Sequence, residues 1–398
     1  MGNKMLWTVV ISSLIFFAQC KTEEQIIIPP DEGRDAPEGY LFGADLSYVN
    51  QVLDFNGVYR EDGDEKDPYA IFKDNGTNLV RLRIWHNPEW TKDVYGPNAT
   101  QLYNDLFDVE RAIKKVKENG MATLLDFHYS DNWADPGQQR IPEAWKNIKD
   151  IEVLKDSIYN YTYETLSYLE SKGLMPEYVQ IGNETNCGMI YTNAQAEFPK
   201  CNGCDGHWAN LRAVINSAIK AVRDVSEISS VSTKIMLHVA DPKNVDWWFD
   251  NLINGSSVTD FEIIGFSYYP IWHTTVPLSQ LSNKIASFKS KFNKDIIILE
   301  TAYPWTTANN DSYGNIFGSS TQLPDYPFAP DSQESLIKSI NQKVIDGGGI
   351  GTVYWEPGWI TSDLKDQWGQ GSSWENNAFF DYDGNLNSAI DYMTEKYN

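Results

Sequence analysis

Eight short apolar runs, spread along most of the chain, are the feature that most limits how this sequence can fold. The runs lie at 40–48, 78–85, 121–129, 178–184, 234–240, 262–269, 295–303 and 351–357. Amphipathic segments such as 109–120 and 210–225 lie between them, with apolar residues at the three- and four-residue spacing of a helix face. Continuous apolar strands that alternate with helices predict an α/β fold, a single (β/α)8 TIM barrel with long loops at its C-terminal face.

An open, doubly wound sheet is the structural alternative. That fold usually carries a glycine-rich phosphate-binding turn directly after its first strand. The first apolar run continues instead as GADLSY, residues 43–48. The closed barrel is therefore favoured.

Polar or aromatic residues stand at the carboxyl end of nearly every predicted strand. In a TIM barrel these ends meet at one face, which is where the active site lies. A buried carboxylate without a partner is costly, so a ring of such residues predicts a functional site rather than packing. The ring comprises Asp45, Arg83, Trp85, Asp126, His128, Asn183, Glu184, His238, Tyr268, Tyr269, Glu300, Trp355 and Glu356.

Two glutamates in this ring indicate a reaction. Glu184 ends the fourth strand and Glu300 ends the seventh, on roughly opposite sides of the barrel mouth. Facing carboxylates are what glycoside hydrolysis requires, one as the nucleophile and the other as the proton donor. We expect the Asn183 amide to hold a sugar hydroxyl, and we expect Arg83 to keep Glu300 ionised.

Metal-dependent hydrolysis is the rival chemistry for carboxylates in a barrel mouth. It needs clustered histidines, and the chain has five histidines without an HxH or HExxH pattern. We therefore expect no cofactor for catalysis. His128 and His238 are expected to bind sugar hydroxyls instead.

The composition narrows the ligand class. A net charge of −23 repels nucleic acid and also disfavours a polyanionic polysaccharide. The 14 Trp and 22 Tyr residues supply flat faces that suit either core packing or the stacking of sugar rings. Together these features favour a neutral polysaccharide.

Longer strings at the same positions resemble family 53 of the glycoside hydrolases, the arabinogalactan endo-β-1,4-galactanases, within a clan of retaining (β/α)8 glycosidases. The strings are GADLSYV (43–49), VRLRIWHNP (80–88), LDFHYSDNWADPGQQ (125–139), QIGNET (180–185), GFSYYPIWH (265–273), LETAYPW (299–305) and YWEPGW (354–359). They occur in order over residues 40–398, and DFHYSDNWADP is very specific. The resemblance implies hydrolysis of β-1,4-galactan, the chain of type I arabinogalactan and pectic side chains, by double displacement.

The resemblance also implies roles for individual residues. Glu184 matches the acid/base and Glu300 the nucleophile. Polar residues matching the central subsite are Asp45, Arg83, His128, Asn183 and Tyr268, and His238 joins them from its place at the rim. Aromatic residues matching positions along the cleft are Trp85, Trp133, Trp305 and Trp355, with Trp355 the best candidate for the floor beneath the sugar ring.

Two other functions remain open at this point. Another endo-β-glycanase of the same clan, acting on glucan or mannan, would keep both glutamates but would lack the DFHYSDNWADP string. A non-catalytic surface glycan-binding lipoprotein would suit the aromatic content, but such a protein gains nothing from two intact carboxylates.

The segment NNDSYGN, residues 309–315, places oxygen atoms at every second residue. Asn309, Asp311, the Tyr313 carbonyl and Asn315 suit a hard cation such as calcium. Bacterial members of the family resemble this, with a calcium site that pins the loop after the seventh strand, although Asn309 stands here where an acid is usual. We expect a structural Ca²⁺, and an ordinary polar turn is the alternative.

The first twenty residues have the form of an export signal, with Lys4, an apolar stretch to Ala18 and then FAQC. Cys20 resembles the lipidated cysteine of bacterial lipoproteins, and KTEEQ after it resembles a surface-export tag of some Gram-negative bacteria. The organisation expected is a lipoprotein signal peptide at 1–20, a flexible tether at 21–39 and a catalytic domain at 40–398. We expect a monomeric outer-membrane or cell-surface lipoprotein that contacts the membrane only through its lipid anchor.

Three further cysteines, Cys187, Cys201 and Cys204, lie within the predicted catalytic domain. CNGC at 201–204 has the spacing of half a zinc site, but no second CxxC pair exists. In an exported protein one loop disulfide and one free thiol are expected. The pairing is left open.

Overall fold

The computed structural model describes residues 1–2, 35–254, 258–317 and 322–398. The predicted signal segment and Cys20 lie outside the described residues. Eight parallel strands close into a barrel, which confirms the predicted fold. The strands are β1 Leu41–Asp45, β2 Leu79–Ile84, β3 Ala122–Phe127, β4 Tyr178–Ile181, β5 Lys234–Ala240, β6 Ile263–Ser267, β7 Asp295–Thr301 and β8 Gly351–Tyr354.

Helices fill the connections between the strands and surround the barrel. They are α1 Val49–Asp54, α2 Pro68–Asp74, α3 Trp90–Asp93, α4 Leu106–Glu118, α5 Ile151–Ser171, α6 Trp208–Ser226, α7 Val245–Asn254, α8 Leu278–Phe292 and α9 Pro330–Asp346. The α4 helix shows why these segments are helical: the Asp105 side chain caps it by accepting from the Asp108 N–H, and lysines fill its last turn. Across the described ranges, we find no helix with the length and apolar character needed to cross a bilayer.

The segment after β8 differs from the predicted pattern. Residues 355–398 are all described, and they contain no α-helix; a short 3₁₀ helix, Ser388–Met393, packs against α9 instead. Glycines at 358, 369, 371 and 384 interrupt this segment, and glycine disfavours a helix. The last connection is therefore a long loop over the catalytic face of the barrel.

The barrel interior has two levels. Its lower level is an apolar plug made of Leu41, Leu79, Leu124, Met236, Ile263, Ile297, Leu299 and Val353. Gly265 makes room in this plug, because a Cβ atom there would lie 2.1 Å from the Leu299 side chain. Polar side chains fill the upper level, towards the carboxyl ends of the strands.

A β-bulge in β7 lies at the boundary between the two levels. Ile298 is paired with Phe266, but the next pair is Glu300 with Ser267, so Leu299 is an extra residue on β7. Alternation along a regular strand would point Leu299 and Glu300 to opposite faces. The bulge lets both point inwards, with Leu299 in the plug and Glu300 above it.

Candidate active site

Arg81, in the middle of β2, is the centre of the polar level. Its guanidinium is 1 % exposed, and all five of its N–H groups donate hydrogen bonds. The acceptors are Asp45 at 3.0 Å, Glu300 at 2.9 Å, Asp126 at 2.8 Å, Asn183 at 2.7 Å and Gln180 at 3.1 Å. A planar guanidinium with every donor used cannot rotate, so it fixes these side chains relative to one another.

The expected contact between Arg83 and Glu300 is wrong. Arg83 donates to Glu356 at 2.5 Å, whereas Arg81 contacts Glu300. Both arginines point into the barrel because they lie two residues apart on one strand. Arg81 lies one level deeper, at the height of the Glu300 carboxylate, and Arg83 is above it.

Glu184 follows β4 in a left-handed backbone conformation, with φ of 46°. Its backbone N–H donates to Nδ1 of His238, at 3.3 Å, and its side chain accepts a hydrogen bond from the Ser267 hydroxyl. Nε2 of His238 lies 3.0 Å from the same hydroxyl oxygen. These contacts aim the Glu184 carboxyl towards Glu300 across the barrel mouth.

The two glutamates face each other closely. One carboxylate oxygen of Glu184, one of Glu300 and a ring nitrogen of His238 all lie within 4.8 Å of one another. Retaining glycosidases have carboxyl groups about 5–5.5 Å apart, and inverting ones about 6.5–9.5 Å apart. The geometry fits the retaining arrangement.

Burial acts on both carboxyl groups, but their partners differ. Burial, and then the negative charge of Glu300, raise the pKa of Glu184 well above its usual value, and the Ser267 hydroxyl lowers it in part. Burial also raises the pKa of Glu300, while the Arg81 guanidinium beside it opposes that rise. Glu184 is therefore the group suited to carry a proton, and Glu300 is the group suited to be ionised.

Tyr269, rather than Tyr268, faces the site. The Tyr269 hydroxyl donates to Oε2 of Glu300 at 3.1 Å, and burial and the Glu300 charge raise the pKa of Tyr269 well above its usual value. Tyr268 is fully buried and its hydroxyl donates to the Val276 carbonyl at 3.0 Å, so its assignment to the central subsite stays a prediction. Tyr268 and Tyr269 directly follow β6, and adjacent residues of extended backbone point in opposite directions.

Four other predicted binding residues lie beneath the site surface. Asp45, Trp85, His128 and His238 are each 2 % exposed or less. Trp85 donates to Nδ1 of His128, and Nε2 of His128 lies 3.1 Å from Asp126. Both ring nitrogens of each histidine already have protein partners, which explains how they hold neighbouring side chains; their direct contact with substrate stays a prediction.

Asn183 connects the centre to the loop after β3. Its Oδ1 accepts from Arg81, and its Nδ2 donates to the Ala134 carbonyl at 2.8 Å. The amide has a second N–H, which is the group available to a sugar hydroxyl.

An aromatic cavity of about 380 Å³ lies beside this centre. Two of the predicted aromatic residues, Trp133 and Trp355, line it, and their rings are 6.1 Å apart. The other lining residues are Tyr48, Asp135, Gln138, Tyr313, Gly314, Ile316, Trp359, Asp366, Trp368 and Ser373. Trp305 instead packs against Tyr382, with ring centroids 5.0 Å apart.

The 309–315 segment packs beside the same cavity. Asp311 accepts from the backbone N–H of Tyr313 at 2.7 Å and from that of Ser372 at 2.8 Å. Oδ1 of Asn309 accepts from the Asn315 side chain at 2.6 Å, while Oδ1 of Asn315 has no partner within the described residues. Asp311 therefore joins the loop after β7 to the loop after β8.

A disulfide links Cys187 to Cys204, and Cys201 is buried and free. One loop disulfide with one free thiol was the expected arrangement. The bridge joins the segment three residues after Glu184 to the residues just before α6. It thereby restrains the loop that follows the acid/base candidate.

Several side chains of the site were not predicted. Arg81, Gln180 and Ser267 all point inwards, where they contact Glu300, Asn183 and Glu184 respectively. The available signal was the strand alternation itself, since residues two apart share a face. Strand alternation identifies which residues point into the barrel, but it does not show how far along the barrel axis each side chain lies.

Comparison with known proteins agrees with this geometry. A family model described as glycosyl hydrolase family 53 matches residues 41–393. An arabinogalactan endo-β-1,4-galactanase of Cellvibrio japonicus is 42% identical over 342 residues, 86% of each chain. An endo-β-1,4-galactanase of Bacillus subtilis is 30% identical and covers 90% of this chain and 81% of its own. The solved family 53 catalytic domain of Ignisphaera aggregans superimposes with a TM-score of 0.80 at 31% identity, over 92% of this chain and 99% of its own.

Proposed function

The chain belongs to glycosyl hydrolase family 53, and we propose that it is a retaining endo-β-1,4-galactanase that cleaves β-1,4-galactan by double displacement. The single observation that carries the mechanism is the approach of the Glu184 and Glu300 carboxylates within 4.8 Å. Two carboxylates at this separation leave room for one anomeric carbon and no intervening water. The first step then uses these two side chains and the sugar, and the second step adds one water molecule.

In the first step, the Glu300 carboxylate attacks the anomeric carbon while Glu184 donates its proton to the departing glycosidic oxygen. The C–O bond to the leaving sugar breaks, and an ester forms between the galactosyl unit and Glu300. The Arg81 and Tyr269 hydrogen bonds hold the attacking carboxylate in place. Rigid placement of this kind supplies much of the rate enhancement.

In the second step, Glu184 acts as a base. Once Glu300 is an ester, it no longer carries the negative charge that raises the pKa of Glu184. The Glu184 carboxylate then takes a proton from water, and the oxygen of that water attacks the anomeric carbon and releases Glu300. Two inversions give net retention, and the same glutamate serves as acid and then as base.

The test is the action of the purified protein on linear β-1,4-galactan. An endo-acting galactanase should lower viscosity early and release a ladder of oligosaccharides before galactose accumulates. Cleavage of β-1,4-glucan or β-1,4-mannan in preference to galactan would assign the protein to another specificity of the clan. Binding of galactan without cleavage would favour the glycan-binding alternative.

We also propose that the catalytic domain is exported and anchored to the outer membrane or cell surface through a lipid on Cys20. The support is the signal-like segment, the cysteine that ends it and the acidic residues that follow. The family match begins at residue 41, so the first forty residues remain available for export, anchoring and a tether. A short tether would keep the enzyme at the surface while its cleft reaches an external polysaccharide.

A structural calcium in the loop after β7 is a further proposal. The carboxylate of Asp311, the side-chain oxygens of Asn309 and Asn315 and the Tyr313 carbonyl are hard oxygen donors that suit this ion. The unpartnered Oδ1 of Asn315 supports a ligand there. The ion would hold the two loops at the edge of the aromatic cavity, a task that the Asp311 hydrogen bonds also perform.

A further inference from the structure

The mechanism proposed above gives no role to the buried ion pair between Arg83 and Glu356. Nη1 of Arg83 donates to Oε1 of Glu356 at 2.5 Å, and these residues are 1 % and 0 % exposed. Neither has a hydrogen bond to Glu184 or Glu300. Removal of a single partner from such a pair leaves an uncompensated buried charge, yet replacement of the whole pair by apolar residues is often neutral for stability. Stability alone is therefore a weak reason for its presence.

Aromatic rings enclose the Arg83 guanidinium. Its central carbon lies 4.3 Å from the centroid of the Tyr48 ring and 4.2 Å from that of the Trp133 ring. A desolvated cation is attracted to the face of an aromatic ring. Both of these rings also line the aromatic cavity beside the catalytic centre. The cation thus lies between two walls of the cavity and contacts each.

Arg83 is held differently from Arg81. Nε and Nη2 of Arg83 have no hydrogen-bond partner among the residues that the structure describes, nor do Oε2 of Glu356 and the Tyr48 hydroxyl. Buried polar groups are normally paired, so this concentration in one cluster is unusual. One carboxylate oxygen and the neighbouring rings, with Trp85 at 5.1 Å as a third, therefore fix the position of the guanidinium, and the rings in turn depend on it.

The backbone of Glu356 has an unfavourable conformation. Its φ is 50°, in the left-handed region that residues other than glycine seldom occupy. The preceding residue, Trp355, lines the cavity and its ring is 6.1 Å from that of Trp133. Strain of this kind tends to persist where function requires the geometry. The same turn thus sets the Glu356 carboxylate against Arg83 and the Trp355 ring against the cavity.

We propose that Arg83 and Glu356 are positioning residues for substrate binding, which set the spacing of the Tyr48, Trp133 and Trp355 rings that receive the sugar chain. This inference rests on the proposed function for the identity of the sugar chain. It assigns the pair to affinity rather than to chemistry, because neither side chain contacts the two catalytic glutamates. Loss of the pair should weaken the binding of galactan and leave bond cleavage in the bound complex nearly unchanged.

The first experiment compares Glu356→Gln and Arg83→Lys with the unmodified protein on galactan. Glu356→Gln keeps the shape of the side chain and removes its charge, while Arg83→Lys keeps the charge and removes the planar group that stacks between the rings. Each should raise KM about tenfold while kcat stays within about threefold, the pattern of lost substrate binding. Lys115→Met is the matched control, because Lys115 forms exposed pairs with Asp67 and Glu118 on the outer surface and its loss should change neither constant.

The second experiment needs no substrate. Near-ultraviolet circular dichroism and acrylamide quenching of tryptophan fluorescence report the packing of the rings directly. Both should change in Glu356→Gln and Arg83→Lys and stay constant in Lys115→Met. If Glu356→Gln does not fold, Arg83→Lys decides the outcome, since it leaves no buried carboxylate without a cation.

An unchanged KM, or a fall in kcat with KM unchanged, would overturn the positioning role. Unchanged ring spectra in folded variants would overturn it as well. A failure of the proposed function looks different: the unmodified protein would then not cleave galactan, while the ring spectra would still report whether the pair holds the aromatic wall.

Discussion

The Arg81 guanidinium and the Glu300 carboxylate meet across the barrel interior at 2.9 Å, although β2 and β7 are three strands apart around the barrel. The same guanidinium also pairs with Asp45 and Asp126. One cation therefore contacts three largely buried carboxylates. The ionised form of Glu300 is therefore favoured by a cation that it shares with two other carboxylates.

Arg81→Lys should lower kcat by about a hundredfold, because lysine cannot supply the fixed set of charge-assisted donors. Arg81 opposes the effect of burial on the pKa of Glu300, so its replacement should raise that pKa further. Glu300 must be ionised to attack, and activity is lost as pH falls through its pKa. The acidic limb of the kcat/KM profile should therefore move to higher pH. Arg111→Lys, on the outer surface, should leave the profile in place.

Glu300→Ala and Glu184→Ala should both be nearly inactive on galactan, but they should differ on an aryl β-galactobioside with an activated leaving group. Glu184→Ala should keep the first step on that substrate, since little protonation is needed. Added azide should then yield the β-galactosyl azide from Glu184→Ala and the α-galactosyl azide from Glu300→Ala, as NMR of the products would show. Glu143→Ala, an exposed control, should behave as the unmodified protein.

The anomer formed first by the unmodified enzyme provides an independent check on this assignment. Retention predicts the β-anomer in early turnover, before mutarotation. Early formation of the α-anomer would contradict Glu300 as the nucleophile, and exchange of the two azide products would reverse the roles of the two glutamates.

Ser267→Ala should move the alkaline limb of kcat/KM to higher pH. The Ser267 hydroxyl donates to Glu184 and lowers its pKa in part, so removal of the hydroxyl should raise that pKa. Glu184 must be protonated to act as the acid, and activity is lost as pH rises through its pKa. We expect kcat at the optimum to fall by less than about tenfold, the effect of one hydrogen bond. Ser157→Ala, on the exposed face of α5, should leave the limb unmoved.

A chelator should lower the melting temperature if calcium binds only the folded state, since bound ion stabilises by mass action. Asp311→Asn should remove that sensitivity but keep much of the hydrogen bonding to Tyr313 and Ser372. Calorimetry with and without chelator distinguishes the two explanations of the loop. If the chelator does not change the melting temperature, the segment is an ordinary polar turn that binds no calcium.

Full-length protein should fractionate with membranes if Cys20 carries a lipid, and Cys20→Ala should appear in the soluble fraction. Stable anchoring usually needs two membrane-binding elements, such as two acyl chains. Partial release of the protein at high salt would therefore indicate a weaker attachment than a lipid anchor gives. Immunoblots of the separated fractions measure the distribution. Equal distribution of the two forms would contradict the lipoprotein proposal.

The sequence supported the architecture because each strand had a continuous apolar run and each connection had its own helical periodicity. The polar ends of those runs pointed to one face of the barrel, which is why Glu184 and Glu300 could be paired without coordinates. The long loop in place of a closing helix after β8 was harder to foresee. Amphipathic spacing within that segment is weak, and its glycines and loop contacts decide its course.

The depth of side chains inside the barrel could not be predicted. Arg81 and Arg83 lie on the same face of β2, and only the stagger of neighbouring strands decides that Arg81 is level with Glu300. The contact of Tyr269 with Glu300 could not be predicted for a related reason, since it depends on how the backbone continues after β6 ends. Both questions concern register, which is a property of several strands together rather than of one.

The bulge in β7 has a consequence for protein engineering. Leu299 and Glu300 both point into the barrel interior although they are adjacent in sequence. The apolar lower level and the polar upper level of the interior are therefore only one residue apart on β7. A designer who transplants this glutamate into another barrel by matching strand positions would place its side chain among the outer helices. The extra residue has to be copied with it, and deletion of one residue from β7 should leave a barrel that closes but lacks its nucleophile.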